Sequence, residues 1–186
     1  MTTTHRRAGS RVPPPGRPWT WGDLGGTPPP PDCPGREVLL SRAVRVRAEA
    51  PVVHGWLGQL RAAPYSYDLV DNRGRRSPQT MTRTDPIETG QTFAGIFTLT
   101  DFEPDRSITL ELTDRVALLA FGPLTILYRT IPDGALTVLR CDLMLPHPRN
   151  GLERLRQVLL AWGDLVMMRR QLLNLRRLSE RTASLA

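Results

Sequence analysis

An α+β domain, built from a curved antiparallel sheet and one long terminal helix, is the architecture that this 186-residue sequence predicts. Three observations predict it. Apolar and polar residues alternate through the middle of the chain, as at Phe97 and Leu99 and again at Ile108, Leu110 and Leu112, which is the period of a strand with one buried face. The connections between these runs are short, and short connections join antiparallel strands, because parallel neighbours need a long crossover. From Gly151 to about Arg181 proline is absent, and Leu152, Leu155, Leu159, Trp162, Val166 and Leu173 recur at helical spacing. Helices segregated to one face of an antiparallel sheet make this fold class.

The elements follow in order. Residues 1–35 hold half of the chain's 18 prolines and bury too little apolar surface to offset their ordering entropy, so they read as a disordered or extended arm. The PWTWG stretch, Pro18 to Gly22, is the segment of that arm suited to dock. A folded domain is expected over residues 36–181, with 182–186 a disordered tail. Val44 and Val46 alternate with Arg45 and Arg47 as in a strand. Ala50 to Ala62 is predicted as a short amphipathic helix, because Pro51 suits a first turn and Val53, Trp56, Leu57 and Leu60 share a face. Strands then follow, punctuated by EPDR at 103–106, FGP at 121–123 and PDG at 132–134, and the last runs from Leu136 to Leu145. The sheet thus has six or seven strands. A terminal helix of roughly 30 residues is about 45 Å long at 1.5 Å per residue, more than the width of a small domain. Its second half, MMRRQLLNLRRLSER, is accordingly expected to project or fray.

Composition narrows the function. The formal net charge is +7, yet all 25 basic residues are arginine and they are spread along the chain, as a high-GC codon bias would leave them. No basic run is interleaved with aromatics, so no nucleic-acid partner is expected. Cys33 and Cys141 lack a metal-ligand spacing, His5, His54 and His147 form no cluster, and phosphate-binding glycine loops and a GxSxG elbow are missing. Neither a metal nor a cofactor is therefore expected. The N-terminus carries no apolar leader core and no run is long enough to span a bilayer, so the chain reads as cytoplasmic with no integral membrane association.

The densest polar stretch is APYSYDLVDNRGRRSP, Ala63 to Pro78. As an active site it offers Tyr65, Tyr67 and Asp68 as catalytic candidates, with Asp71 and Asn72 beside them, to orient a substrate oxygen or move a proton. As a connection, the tyrosines pack beneath the sheet edge, an aspartate caps a helix, and Gly74 turns the chain. Arg73, Arg75 and Arg76 either clamp an anionic group or pair with the neighbouring aspartates.

Four features taken together resemble the START-like helix-grip (SRPBCC) superfamily, and within it the bacterial polyketide cyclase/dehydrase-like branch. They are APVVHGWLGQLRAAPYSYD, GQTFAGIFTLTDFEPDRSITLEL, PDGALTVLRCDL and the long terminal helix, and the match spans roughly residues 36–177. The resemblance implies a hydrophobic cavity between the sheet and the C-terminal helix, with Trp56, Tyr65, Tyr67, Asn72, Phe97, Tyr128, Trp162 and Val166 as expected ligand-binding residues. The expected function is binding of a hydrophobic or aromatic small molecule. One alternative is a cyclase- or dehydratase-like enzyme acting on an aromatic polyketide or related compound. The other is an interaction module built on the basic helix end and the proline-rich arm.

Overall fold

The computed structural model describes residues 19–31, 37–66 and 76–185. Tyr67, Asp68, Asp71, Asn72, Arg73 and Arg75 lie outside the described residues.

Seven strands form one sheet in the order β1-β2-β7-β6-β5-β4-β3. They are β1 (Thr20–Gly22), β2 (Glu37–Val46), β3 (Thr92–Phe93), β4 (Phe97–Glu103), β5 (Ser107–Leu112), β6 (Thr125–Asp133) and β7 (Leu136–Leu145). Every pairing is antiparallel except that of β1 with β2. The long helix α3 (Gly151–Ala183) packs on the inner face against β2 and against α1 (Ala50–Gly58). Alternation sets that face. Leu40, Val44 and Val46 on β2, Ile108, Leu110 and Leu112 on β5, and Leu139, Cys141, Leu143 and Leu145 on β7 all enter one buried cluster.

Where it is described, the arm is extended along the sheet edge. β1 adds to the edge of β2, with Thr20 opposite Ser41, and the Trp19 carbonyl accepts from the Ser41 N–H at 2.8 Å. Gly22 makes the approach feasible: its φ is +86°, and a Cβ there would overlap the Ala43 carbonyl. Beyond it, Arg140 donates to Thr27 Oγ1 at 2.7 Å and Arg129 to the Pro28 carbonyl at 2.9 Å. Both arginines also hold Asp142, which is fully buried on the outer face and accepts from Ser41 Oγ at 2.7 Å. The proline-rich segment thus docks through its carbonyls, which proline retains, on a buried charge cluster.

Two helical expectations change. The predicted helix over 50–62 becomes α1 followed by a 3-10 turn at Gln59–Arg61. The stretch read as the FGP turn is preceded by a helix that periodicity did not show, α2 (Arg115–Phe121), capped by Asp114 accepting from the Ala117 N–H at 2.8 Å.

The largest correction concerns α3. Its second half neither projects nor frays. Leu172, Leu175 and Leu178 are buried, Arg177 and Arg181 donate to Gln79, and Glu180 accepts from the Arg47 N–H at 3.0 Å. The first half carries the apolar stripe of Leu152, Leu155, Leu159, Trp162 and Val166, and that stripe faces outward. Ala161, Asp164, Met168 and Gln171 face inward instead. The physical reason is that this half of the helix roofs a cavity rather than a packed core, so its inner face carries polar groups.

Candidate functional site

Between the sheet and the first half of α3 lies a cavity of about 580 Å³. Its walls are mostly apolar, with Leu60 from the 3-10 turn, Phe97 from β4, Leu110 from β5, Ile126 from β6, Leu143 from β7, and Leu160 and Met168 from α3. The mouth lies between α2 and α3, where the lining residues Phe121, Leu159 and Met167 reach solvent beside Arg156.

A few polar groups interrupt this lining. Tyr128 is buried and donates its hydroxyl to Gln171 Oε1 at 2.6 Å, while Gln171 Nε2 donates to the Pro64 carbonyl at 2.6 Å. The second bond fixes which way the amide points, so the Tyr128 hydroxyl proton is committed to Gln171, with Met168 Sδ 3.6 Å from the same oxygen. Burial raises the Tyr128 pKa well above the ordinary phenol value, with the neighbouring Cys141 and Asp164 adding to the rise. Asp164, from α3, also lines the cavity, and its carboxylate lies 3.2 Å from Arg42 Nη2 on β2. Burial pushes the Asp164 carboxyl up to about 6, and Arg42 restrains the rise. Desolvation also lowers the Arg42 pKa, with Asp164 opposing. Cross-strand register explains the grouping, because Arg42 pairs with Cys141 and Cys141 with Tyr128 in one row across the inner face. Cys141 is buried and its thiol is pushed well up by desolvation.

The sequence-derived candidates divide. Phe97 and Tyr128 line the cavity. Trp56 and Tyr65 are buried and are not among the lining residues; they stand edge to face with ring centroids 6.0 Å apart, and Trp56 Nε1 donates to Thr182 Oγ1 at 3.0 Å. Tyr65 adopts φ +56°, and its carbonyl accepts from Asn174 Nδ2 at 2.9 Å, so α3 clamps the chain where the polar stretch begins. Trp162 and Val166 sit on the outer face of α3, away from the lining. Tyr67, Asp68 and Asn72 lie outside the described residues. His54 is turned to the β4–β5 hairpin, 3.9 Å from Asp105, and burial lowers its pKa against the pull of Asp105. Among the described residues no cluster suited to a metal ion occurs.

Asp164 and Gln171 are the site residues that sequence reading missed. The signal was present: Ala161, Asp164, Met168, Gln171, Leu175 and Leu178 recur at steps of three and four, a second stripe opposite the more apolar one.

No family model and no curated protein matches the chain. Among solved structures, a protein from Mesorhizobium loti, MLL2253, superposes with a TM-score of 0.50 at 14% identity, covering 76% of this chain and 98% of that one. The fold is the START-like helix-grip fold. Other helix-grip matches are more distant. The di-domain ARO/CYC StfQ from the steffimycin biosynthetic pathway has a TM-score of 0.46 at 11% identity, over 78% of this chain and 51% of its own. Norcoclaurine synthase from Thalictrum flavum has a TM-score of 0.39 at 10% identity, over 72% of this chain and 85% of its own.

Proposed function

We propose that this helix-grip protein binds a hydrophobic small molecule that carries a hydrogen-bond donor, such as a hydroxylated aromatic compound. The observation that supports this reading is the pairing of an apolar cavity of about 580 Å³ with a carboxylate acceptor in its lining, that of Asp164. A cavity of this size suits a small organic ligand, and a few placed polar groups in an apolar lining set its orientation. A carboxylate ligand would meet a second negative charge at Asp164. A hydroxyl would donate to it.

The test is fluorescence titration of the full chain with N-phenyl-1-naphthylamine, a neutral apolar probe with one N–H donor. Saturable binding is expected, and Gly163→Trp should block it. Gly163 lines the cavity, and a Cβ there meets no heavy atom within 4 Å, so the added ring enters open space without displacing the core. Absence of saturable binding, or binding unchanged in the variant, rejects the reading.

A second reading, a cyclase- or dehydratase-like enzyme, draws on the Asp164 carboxyl standing at about 6 inside the cavity. A group poised near neutrality can accept and return a proton. Under that reading Asp164→Asn removes turnover of a bound substrate while the naphthylamine probe still binds, and retained turnover excludes it.

A further inference from the structure

We propose that α2 and the first half of α3 form a face that docks on an anionic lipid bilayer, with the cavity mouth turned toward the hydrocarbon. The docking itself stands on the outer surface; its use in loading the cavity rests on the binding function proposed above.

The face is apolar to a degree that folding alone leaves unexplained. Val116 and Leu119 on α2 are 75% and 83% exposed, and Leu152, Leu155 and Leu159 on α3 are 76%, 55% and 64% exposed. Trp162 adds an indole at 48% exposure. The two helices adjoin, since the Arg156 guanidinium lies against Gly122 at the end of α2. Exposed apolar side chains on two adjoining helices mark a candidate contact site. Among the described residues no helix is long and apolar enough to cross a membrane, so the contact would lie in the interface plane.

Charge selects the occupant. Arg115, Arg149 and Arg154 are exposed around this face, and Arg156 stands at the mouth. The carboxylates beside them are fewer: Asp114 caps α2, Glu153 accepts from the Arg149 N–H at 2.7 Å at the start of α3, and Asp164 points inward to Arg42. A second copy of the chain would meet this face with the same face across a two-fold axis, setting arginine rim against arginine rim. Anionic headgroups satisfy the rim while acyl chains cover the leucines, and tryptophan favours that boundary. The mouth residues Phe121, Leu159 and Met167 lie within the same face, so an apolar ligand would pass from bilayer to cavity without crossing water.

The experiment is flotation of the full chain with vesicles of phosphatidylcholine alone and of phosphatidylcholine containing phosphatidylglycerol. Binding to the anionic vesicles is expected, weakening as salt rises. The combined variant Leu119→Ser, Leu152→Ser, Leu155→Ser should bind at least about tenfold more weakly, and Arg115→Gln with Arg154→Gln should lose the preference for anionic lipid. None of these side chains lines the cavity, so naphthylamine binding measured on the same proteins before vesicles are added reports folding and the cavity separately. Failure of the wild type to float, or equal flotation of the serine variant, overturns the proposal. A wild-type dimer that the serine variant dissolves would assign the face to a second copy and also overturn it.

Discussion

Arg42 on β2 and Asp164 on α3 meet at 3.2 Å across the inner face of the sheet, and this ion pair fastens the helix that roofs the cavity to the strand that carries the docked arm. Both side chains are almost fully buried. Arg42 also donates to the Trp19 carbonyl at 2.8 Å, so one guanidinium links arm, sheet and helix.

The pair has a defined pH signature. The Asp164 carboxyl stands at about 6 in the folded chain against 3.8 for the ordinary group. A carboxyl whose pKa rises on folding contributes stability fully below the unfolded value, and that contribution is lost as pH rises toward the folded value. Between pH 3.8 and about 6 the wild type should therefore lose on the order of 3 kcal/mol from this group. Asp164→Asn should destabilise most at low pH, and its cost should shrink by that amount by pH 7. Urea denaturation of both proteins at several pH values checks this; a mutational cost that grows with pH contradicts it.

Trp56 is structural in this account. Trp56→Phe removes the hydrogen bond to Thr182 and part of the edge-to-face contact with Tyr65. A loss of about 1–3 kcal/mol in unfolding free energy is expected, with naphthylamine affinity unchanged. Weakened probe binding at unchanged stability would return Trp56 to the cavity.

The arm is held by its backbone. At Gly22 any side chain must adopt φ +86° and displace the Ala43 carbonyl, so Gly22→Val should detach β1 from β2. Limited proteolysis should then cleave near Trp21 much faster than in the wild type. Equal cleavage rates would show that the arm does not rest on this edge.

Much of this organisation was legible in the sequence, for reasons that particular residues make plain. Strands such as β5 keep one face buried, so Ile108, Leu110 and Leu112 announced it by period alone. β7 is buried on both faces because the arm covers Arg140 and Asp142, yet its bounds, Leu136 to Leu145, agree with those expected from the sequence. The facing of α3 was misread because hydrophobicity identifies a stripe and not what lies against it. Where a helix roofs a cavity, Asp164 and Gln171 can face inward while Leu155 and Leu159 face out. Docking of the arm depends on carbonyls of Trp19 and Pro28 meeting Arg42, Arg129 and Arg140, and backbone acceptors leave no trace in composition.

A ligand hydroxyl has one proton, and the Asp164 carboxylate in the cavity lining is the acceptor proposed for it. Isothermal titration of the full chain at pH 7 with 2-naphthol and with its methyl ether isolates that hydrogen bond, because the pair differs mainly in the donor. 2-Naphthol is expected to bind at least about tenfold more tightly, as a lost hydrogen bond to a charged group implies, and Asp164→Asn should narrow the gap. Equal affinity for the two compounds, or tighter binding of the ether, would contradict it.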